Sequence, residues 1–528
     1  MPSTPRPAAT AVPRRALLRT GAVLAAGVST GAAACTTGDD APRAGADRGA
    51  GRGRPHEVVS RGAEGGGVLD PGTTRPGEAA LAVSRAVLAR STAVVVSSTD
   101  PRSMDAGADV ARRLGIPALV VDEGLETELE AELDRLGTRT VVRVAPRSGG
   151  STATPAVPRR LGRREVVDAG SDDGLAGLPG LPRKPPGAGA LVLAAEGAEV
   201  TSAAAATLAA VGARTTPLPQ PDPRAQPEVV EALRAHPEAA VLGLAPALDA
   251  QRFARRVRTA RFADELPGGG LLAFPGRMMV ALYGHPGTSS LGMLGEQSAE
   301  KAVRRARRAA DEYAALTDVT VVPAFEIIAT IASGGPGDDG DYSTSAPVSK
   351  LRPWVEAAER ADTYVVLDLQ PGRTHFLEQA KSYEELLRRP WVGLALDPEW
   401  RLGEDERHLE QIGSVDVDEV NEVGAWLAAL VREHDLPPKV LTLHQFRPSM
   451  IRGRERLDTS LDEVQWVVHA DGQGPQHAKQ GTWGELRKGL PKGVWLGWKN
   501  FEHEDTPMLT PRQTLEQVRP TPQFISYQ

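Results

Sequence analysis

The 528 residues contain one cysteine, Cys35, so an internal disulfide is excluded, as is any metal centre built on several thiolates. Aromatic residues are missing from the first 252 positions. All 22 lie at or beyond Phe253, and the 8 Trp fall between Trp354 and Trp498. Any site that holds an organic ligand by stacking therefore belongs to the second half. Lysine is scarce, with 9 of the 61 basic residues, which reads as a bias towards Arg and Ala without functional weight. A net charge of −7 and the lack of a basic stripe argue against a nucleic-acid partner. No apolar run reaches the ~20 residues of a membrane span. Gly268-Gly269-Gly270 has no P-loop lysine near it, Gly-x-Ser-x-Gly is absent, and the Gly/Asp stretch from Gly334 to Asp341 misses the EF-hand spacing. No cofactor and no metal are expected. What remains is ordinary globular material, 41% hydrophobic and 24% charged.

The start of the chain reads as an address. Arg14-Arg15 precedes an apolar run from Thr20 to Ala34 that ends in Ala32-Ala33-Ala34-Cys35. A positive segment, a short apolar segment and small residues before a cysteine resemble a twin-arginine export signal joined to a bacterial lipoprotein box. The resemblance implies lipidation at Cys35 and a chain exported and anchored to the outer face of the cell membrane, facing the cell wall. Residues 36–76, rich in Gly, Arg, Ala and Asp, are expected to be a flexible tether.

From 77 to 257 short apolar runs alternate with helical sequence, which implies parallel strands with crossover helices. Strands are expected at Ala93–Val96, Pro117–Val121, Thr140–Val144, Ala190–Leu193 and Ala239–Leu242, without a strict internal duplication. A Pro/Gly/Arg-rich stretch, about Pro146 to Gly187, interrupts the pattern. Ahead of it, in the segment Ala93–Ala145, Val94–Ser98, Met104-Asp105-Ala106, Leu114-Gly115-Ile116-Pro117-Ala118-Leu119 and Glu132–Thr138 leading into Val141-Val142 resemble the cell-wall-binding repeat domains of Gram-positive surface proteins. That resemblance implies docking to a cell-wall polymer; a plain α/β accessory domain is the alternative.

From 268 to 528 eight apolar runs recur with helical sequence between most of them: Met278–Tyr283, Val319–Phe325, Thr363–Leu369, Val392–Leu396, Lys439–Leu443, Glu463–Val468, Gly493–Gly497 and Gln523–Tyr527. Eight strands with intervening helices over about 250 residues predict a (β/α)8 barrel. Seven runs finish in polar residues: Tyr283 and His285, Glu326, Asp368 and Gln370, Asp397 and Glu399, His444 and Gln445, His469, Asp471 and Gln473, and Lys499. Barrel active sites are built from such carboxyl-terminal strand ends. The fold class expected is thus α/β, a parallel α/β domain followed by a C-terminal (β/α)8 barrel.

Val392-Gly393-Leu394-Ala395-Leu396-Asp397-Pro398-Glu399-Trp400 resembles the fourth-strand motif of chitinase-like glycoside hydrolases, in which a Gly and alternating apolar residues precede Asp-x-Glu. The family's earlier acidic positions are Val392 and Ala395 here. The resemblance implies Glu399 as general acid with Asp397 as its partner. A carboxyl against Trp400 and near a second carboxylate would have a raised pKa, as an acid working at neutral pH requires. Asp368, Glu326 and Asp471 are candidates for a second carboxylate. Trp400, Trp495 and Trp498 are candidate sugar platforms, Tyr283 and Tyr342 candidate rim contacts, and Trp426 and Trp466 core residues. His285, Gln370, His444, Gln445, His469, Gln473 and Lys499 complete the candidate binding set. The expected function is a cell-envelope lipoprotein that binds or hydrolyses a glycan. One alternative is a wall-binding lipoprotein without turnover. Another is a metal-dependent hydrolase resembling amidohydrolase barrels through His285, His444, His469 and Asp471.

Overall fold

The computed structural model describes residues 56–144, 157–158, 161–170 and 189–528. The export signal, Cys35 and the first part of the expected tether lie outside them. No helix among the described residues is long and apolar enough to cross a membrane.

Among its described residues the aromatic-free half is built on eight parallel strands: β1 (Gly66–Leu69), β2 (Ala93–Ser98), β3 (Ala118–Val121), β4 (Thr140–Arg143), β5 (Glu165–Asp168), β6 (Ala190–Ala194), β7 (Arg214–Pro217) and β8 (Ala240–Leu244). They form two four-stranded sheets with one strand order, β3-β2-β4-β5 and β7-β6-β8-β1. In each sheet the first strand lies between the second and third, and a fourth strand lies beyond the third. The duplication that the residues alone conceal is therefore one of topology. It is obscured because the last place of the second sheet is taken by β1, from ahead of the first.

That strand falls in the expected tether and corrects it. Gly65 and Gly66 are there for close approach. A Cβ on Gly65 would lie 2.4 Å from the Ala86 carbonyl, and one on Gly66 2.7 Å from that of Val241. Helix Pro101–Leu114 opens with Asp100 accepting from the Ser103 amide at 2.9 Å and closes on Gly115 at φ +68°. It packs against Ser202–Ala210, the helix in the same place of the other half. That second helix is alanine-rich without an apolar stripe because it is covered on most sides.

The barrel strands are β9 (Arg277–Gly284), β10 (Thr320–Ala332), β11 (Tyr364–Leu369), β12 (Val392–Leu396), β13 (Lys439–Gln445), β14 (Val464–Ala470), β15 (Trp495–Asn500) and β16 (Phe524–Tyr527). All eight pair in parallel, and β16 returns to β9 through Phe524↔Met279 to Tyr527↔Leu282, which closes the barrel. Strands covered on both faces read as continuous apolar runs, which is why these segments were legible. Six of the seven strand-to-strand connections carry an α-helix. The exception, residues 446–463, holds two 3-10 turns and the short strand Ile451–Arg452, which pairs with Val415–Asp416.

Period-two alternation sorts the side chains. Met279, Ala281, Val322, Ala324, Tyr364, Val366, Ala395, Val440, Val467 and Phe524 fill the lower interior as an apolar plug. Their neighbours face the outer helices. Two residues further along each strand, the inward positions turn polar.

The α/β half docks on the amino-terminal end of the barrel, away from that polar layer. Arg256 makes bonds of 3.0 and 2.7 Å to Asp462, Arg252 lies 3.3 Å from the same carboxylate, and Arg224 donates to the Asp462 carbonyl at 2.9 Å. Arg258 grips Asp435 at 2.6 and 2.7 Å. Asp462 precedes β14 and Asp435 precedes β13. Asp462→Ala removes the nearer of the two anions of the partly buried Arg256, the other being Asp222 at 3.5 Å, and is expected to cost about 2 kcal/mol, read as a lowered midpoint in urea unfolding. An unchanged midpoint would show that docking does not depend on the Asp462 carboxylate.

Candidate active site

The strand ends converge as alternation requires. The inward row is Tyr283 (β9), Glu326 (β10), Asp368 (β11), Asp397 just past β12, His444 (β13), His469 (β14), Lys499 (β15) and Ser526 (β16). Above it, at the carboxyl-terminal mouth, a cavity of about 670 Å³ is lined by Tyr283, Gln370, Asp397, Glu399, Trp400, Asp471, Gln473 and Lys499, with Phe446, Arg447, Thr482 and Phe501. Eight candidate residues from five strand ends thus meet in one cavity.

From its wall downward runs a chain of alternating charge. The His444 ring holds Glu326 through Nε2 at 2.9 Å and Asp471 through Nδ1 at 2.8 Å. Asp471 in turn accepts from Lys499 Nζ at 3.0 Å. Both ring nitrogens face carboxylates, so His444 is an imidazolium. Burial opposes its charge, but Glu326, Asp368 and Asp471 outweigh burial and raise its pKa well above the ordinary value. Burial likewise pushes Glu326 and Asp471 up. His444 outweighs it for Glu326, and Lys499 with His444 outweighs it for Asp471, so both carboxyls are held below their usual values. His469 is desolvated and stays neutral, its pKa pushed down to about 3. Its Nε2 lies 3.2 Å from Ser526 Oγ. Two anions and two cations cancel.

Three further carboxyls have no cation to themselves. Asp368 accepts from the Tyr283 hydroxyl at 2.8 Å, and burial raises it to about 6. Burial and the neighbouring Asp368 raise Asp397 well above the carboxylate range. Glu399, half-buried at the cavity wall, is raised to about 7 by burial and by Asp471. Asp397 Oδ1 accepts the Glu399 amide at 3.3 Å, and the turn Pro398–Trp400 lifts Glu399 off the strand into the cavity. These raised carboxyls hold protons to higher pH than free ones, and Glu399, at about 7, can donate one near neutral pH.

Several expected residues lie elsewhere. Glu326 is not at a strand end: β10 runs on to Ala332, which leaves Glu326 mid-strand, fully buried and below the cavity. Trp495, expected as a platform, sits at the start of β15 with its ring 5.7 Å from Phe274, at the far end of the barrel. Trp498 points outward and packs edge-on at 5.8 Å to Trp483. Only Trp400 of the three lines the cavity. Gln445, one position out of phase, points away and donates to the Arg447 and Pro448 carbonyls. His285 is tied to the Ile328 carbonyl at 2.9 Å and Lys350 Nζ at 2.8 Å, which takes it out of the expected metal set. Tyr342 is buried, with the Arg373 guanidinium 4.6 Å over its ring. Trp466 is core, and Trp426 packs against it.

Glu326, His444 and His469 do bring ligand atoms within 4.8 Å of one another. A cation there would require His444 to give up its proton and one carboxylate partner, so the donor set suits an imidazolium better than a metal. Gly497 makes this packing possible, since a Cβ would fall 2.4 Å from His469 Cδ2. Gly497→Ala is expected to cost about 2 kcal/mol through overpacking, measured by urea unfolding; a neutral result would mean that His469 is free to move.

Ser526, Phe446, Arg447 and Phe501 were not singled out from the residues. Ser526 was within reach, because it lies two positions beyond the inward Phe524. The loop residues carry no period to read.

No protein-family model matches the chain, and no curated protein matches it. Among solved structures, a xylanase–alpha-amylase inhibitor protein in complex with trehalose aligns at 15% identity and TM-score 0.28, covering 47% of this chain and 92% of the other. The xylanase and alpha-amylase inhibitor protein from Scadoxus multiflorus aligns at 15% identity and TM-score 0.27 with the same coverage. The barrel assignment rests on its own closed strand pairing, and the chemistry on the residues above.

Proposed function

We propose that this chain is a cell-envelope lipoprotein, exported and lipid-anchored at Cys35, whose barrel binds and hydrolyses a glycan of the cell wall or its surroundings. Glu399 is the general acid and Asp397 its partner. The observation that carries the reading is Glu399 itself, a carboxyl at the wall of the mouth cavity with a pKa of about 7, beside a second carboxyl, Asp397, that burial and Asp368 raise well above the carboxylate range. A group that must protonate a glycosidic oxygen at neutral pH needs this environment. Trp400 offers the cavity an aromatic face; Gln370, Gln473 and Lys499 offer it hydrogen-bond donors. The α/β half, docked at the opposite end, leaves the mouth clear and is the part proposed to hold cell-wall polymer.

The test is release of reducing ends from purified cell wall and from N-acetylglucosamine oligomers, with wild type beside Glu399→Gln. Activity lost in the variant with the fold intact by circular dichroism supports the acid. Activity that survives removes Glu399 from the role. Retention on cell wall with no product from either protein would make the chain a binding lipoprotein.

A further inference from the structure

A second cavity of about 780 Å³ adjoins the first. The two share Glu399, Trp400 and Arg447, so the proposed acid stands where they meet. The outer cavity is enclosed by the segment after β12 and the turn after β13, including His408, Leu409, Gln411, Ser449 and Arg452.

Its wall is fixed in place. Arg401 bonds Glu419 at 3.2 Å and the Arg373 and Leu402 carbonyls at 3.0 and 2.8 Å. His408 Nε2 lies 3.0 Å from the Tyr342 carbonyl, with its ring edge-on to Trp400 at 5.3 Å. The Gly413 amide donates to the Glu399 carbonyl at 2.8 Å. Only glycine fits there, since a Cβ would lie 2.4 Å from that oxygen. The wall is thus tied to the backbone of the proposed acid itself.

Two features of this wall serve nothing within the chain. Leu409 is 91% exposed, the most exposed large apolar side chain among the described residues. Its φ of +69° puts a branched residue in the left-handed region, which L side chains disfavour. Arg447, at the junction, rests 5.7 Å over the Phe446 ring and has no carboxylate partner among the described residues. Apolar surface, aromatic faces and unpaired donors together are what a sugar chain uses.

We infer that the two cavities are the arms of one cleft that takes a linear glycan across Glu399, so that the linkage at the acid is internal to the chain. Each arm lies in the range of about 300–1,000 Å³ that encloses a small-molecule ligand, and a disaccharide is a ligand of that size. This deepens the glycan reading and rests on it.

The experiment uses the whole protein and N-acetylglucosamine oligomers of two, four and six units, with glycan strands from purified cell wall as a second ligand. Affinity is read by calorimetry on Glu399→Gln, and turnover and product lengths on wild type. The expected result is a Kd that falls at least tenfold from dimer to hexamer, with products released from the interior of the chain. Ser449→Trp, which fills the outer arm, is expected to remove that gain. Turnover that releases only terminal units, with no gain from length, overturns the cleft and leaves the hydrolase reading standing. A gain retained in Ser449→Trp overturns it as well. Length-dependent binding without turnover sustains the cleft and sinks hydrolysis. Absence of binding to every oligomer and to cell-wall strands overturns both.

Discussion

Glu399→Gln is expected to lower kcat by about 10²–10⁴-fold, the range that a positioned acid contributes, and to make the protein more resistant to unfolding at alkaline pH. The two effects share one cause. Burial and Asp471 raise the Glu399 pKa to about 7 in the folded chain, well above that of a carboxyl in the unfolded chain. A folded-state pKa above the unfolded one contributes stability that is complete below the unfolded pKa and is lost as pH rises through the folded one. Wild type therefore loses stability between about pH 4 and pH 7 on account of Glu399, as it ionises in a place that disfavours the anion. The amide never ionises and has no such loss. Thermal unfolding at pH 5 should give closely similar midpoints for the two proteins, and at pH 8 a higher one for Glu399→Gln. In the same window wild-type kcat/KM should fall as pH passes about 7, because the acid form is the working form. A residue with only a structural role would lower the midpoint at both pH values and leave the basic limb of the rate profile in place.

His444→Gln is the substitution expected to cost the most stability, about 3–5 kcal/mol, because it removes the cation between two buried carboxylates. The pH dependence should reverse with it. In wild type, Glu326 and Asp471 have folded pKa values below their unfolded ones. Their contribution is present at neutral pH and lost on acidification. His444, raised instead, contributes fully below its unfolded pKa and loses that contribution as pH rises from there through its high folded value. Without His444 the two carboxyls face burial with less compensation, so they hold protons more readily and the variant is best folded in acid. Urea unfolding at pH 8 and pH 5 should therefore show a gap that narrows at the lower pH. Removing Glu326 as well, in Glu326→Gln/His444→Gln, takes away one orphaned anion and should recover part of the loss. If the double variant is as unstable as the sum of the two single ones, the residues act independently and the alternating-charge account fails.

The fold was legible wherever both faces of a strand are covered. Val392–Leu396 and Lys439–Leu443 could be read as barrel strands because nothing in them serves solvent. The candidate site was legible through the same period. Stepping by two from the apolar plug lands on Asp368, His444, His469 and Lys499. It also shows why Gln445 and Trp498, each one step out of phase, belong to other surroundings. Two things escaped this reading. The apolar run breaks at a charge, which makes Glu326 read as a strand end. The break is instead a buried carboxylate matched by His444, a partner 118 positions away. Glycine was the other source of error: Gly65-Gly66-Gly67 has the composition of a tether and the function of a tight crossing.

That crossing bears on how the chain is made. Gly66 lies beside Val241 in the second sheet, about 175 positions later, while β2 to β5 of the first sheet are formed entirely in between. Bringing such distant ends together adds slowly to the entropic cost, as the logarithm of the intervening length, but it does delay completion. During synthesis the first sheet can assemble as soon as residue 168 has emerged, whereas β1 has to wait for residue 244 before it finds its neighbour. Until then an early segment waits unpaired on a nascent chain. A protease cut anywhere in the connection between the sheets would also fail to separate them. The fragment ahead of the cut still donates a strand to the sheet behind it, and the two pieces would travel together through a gel-filtration column.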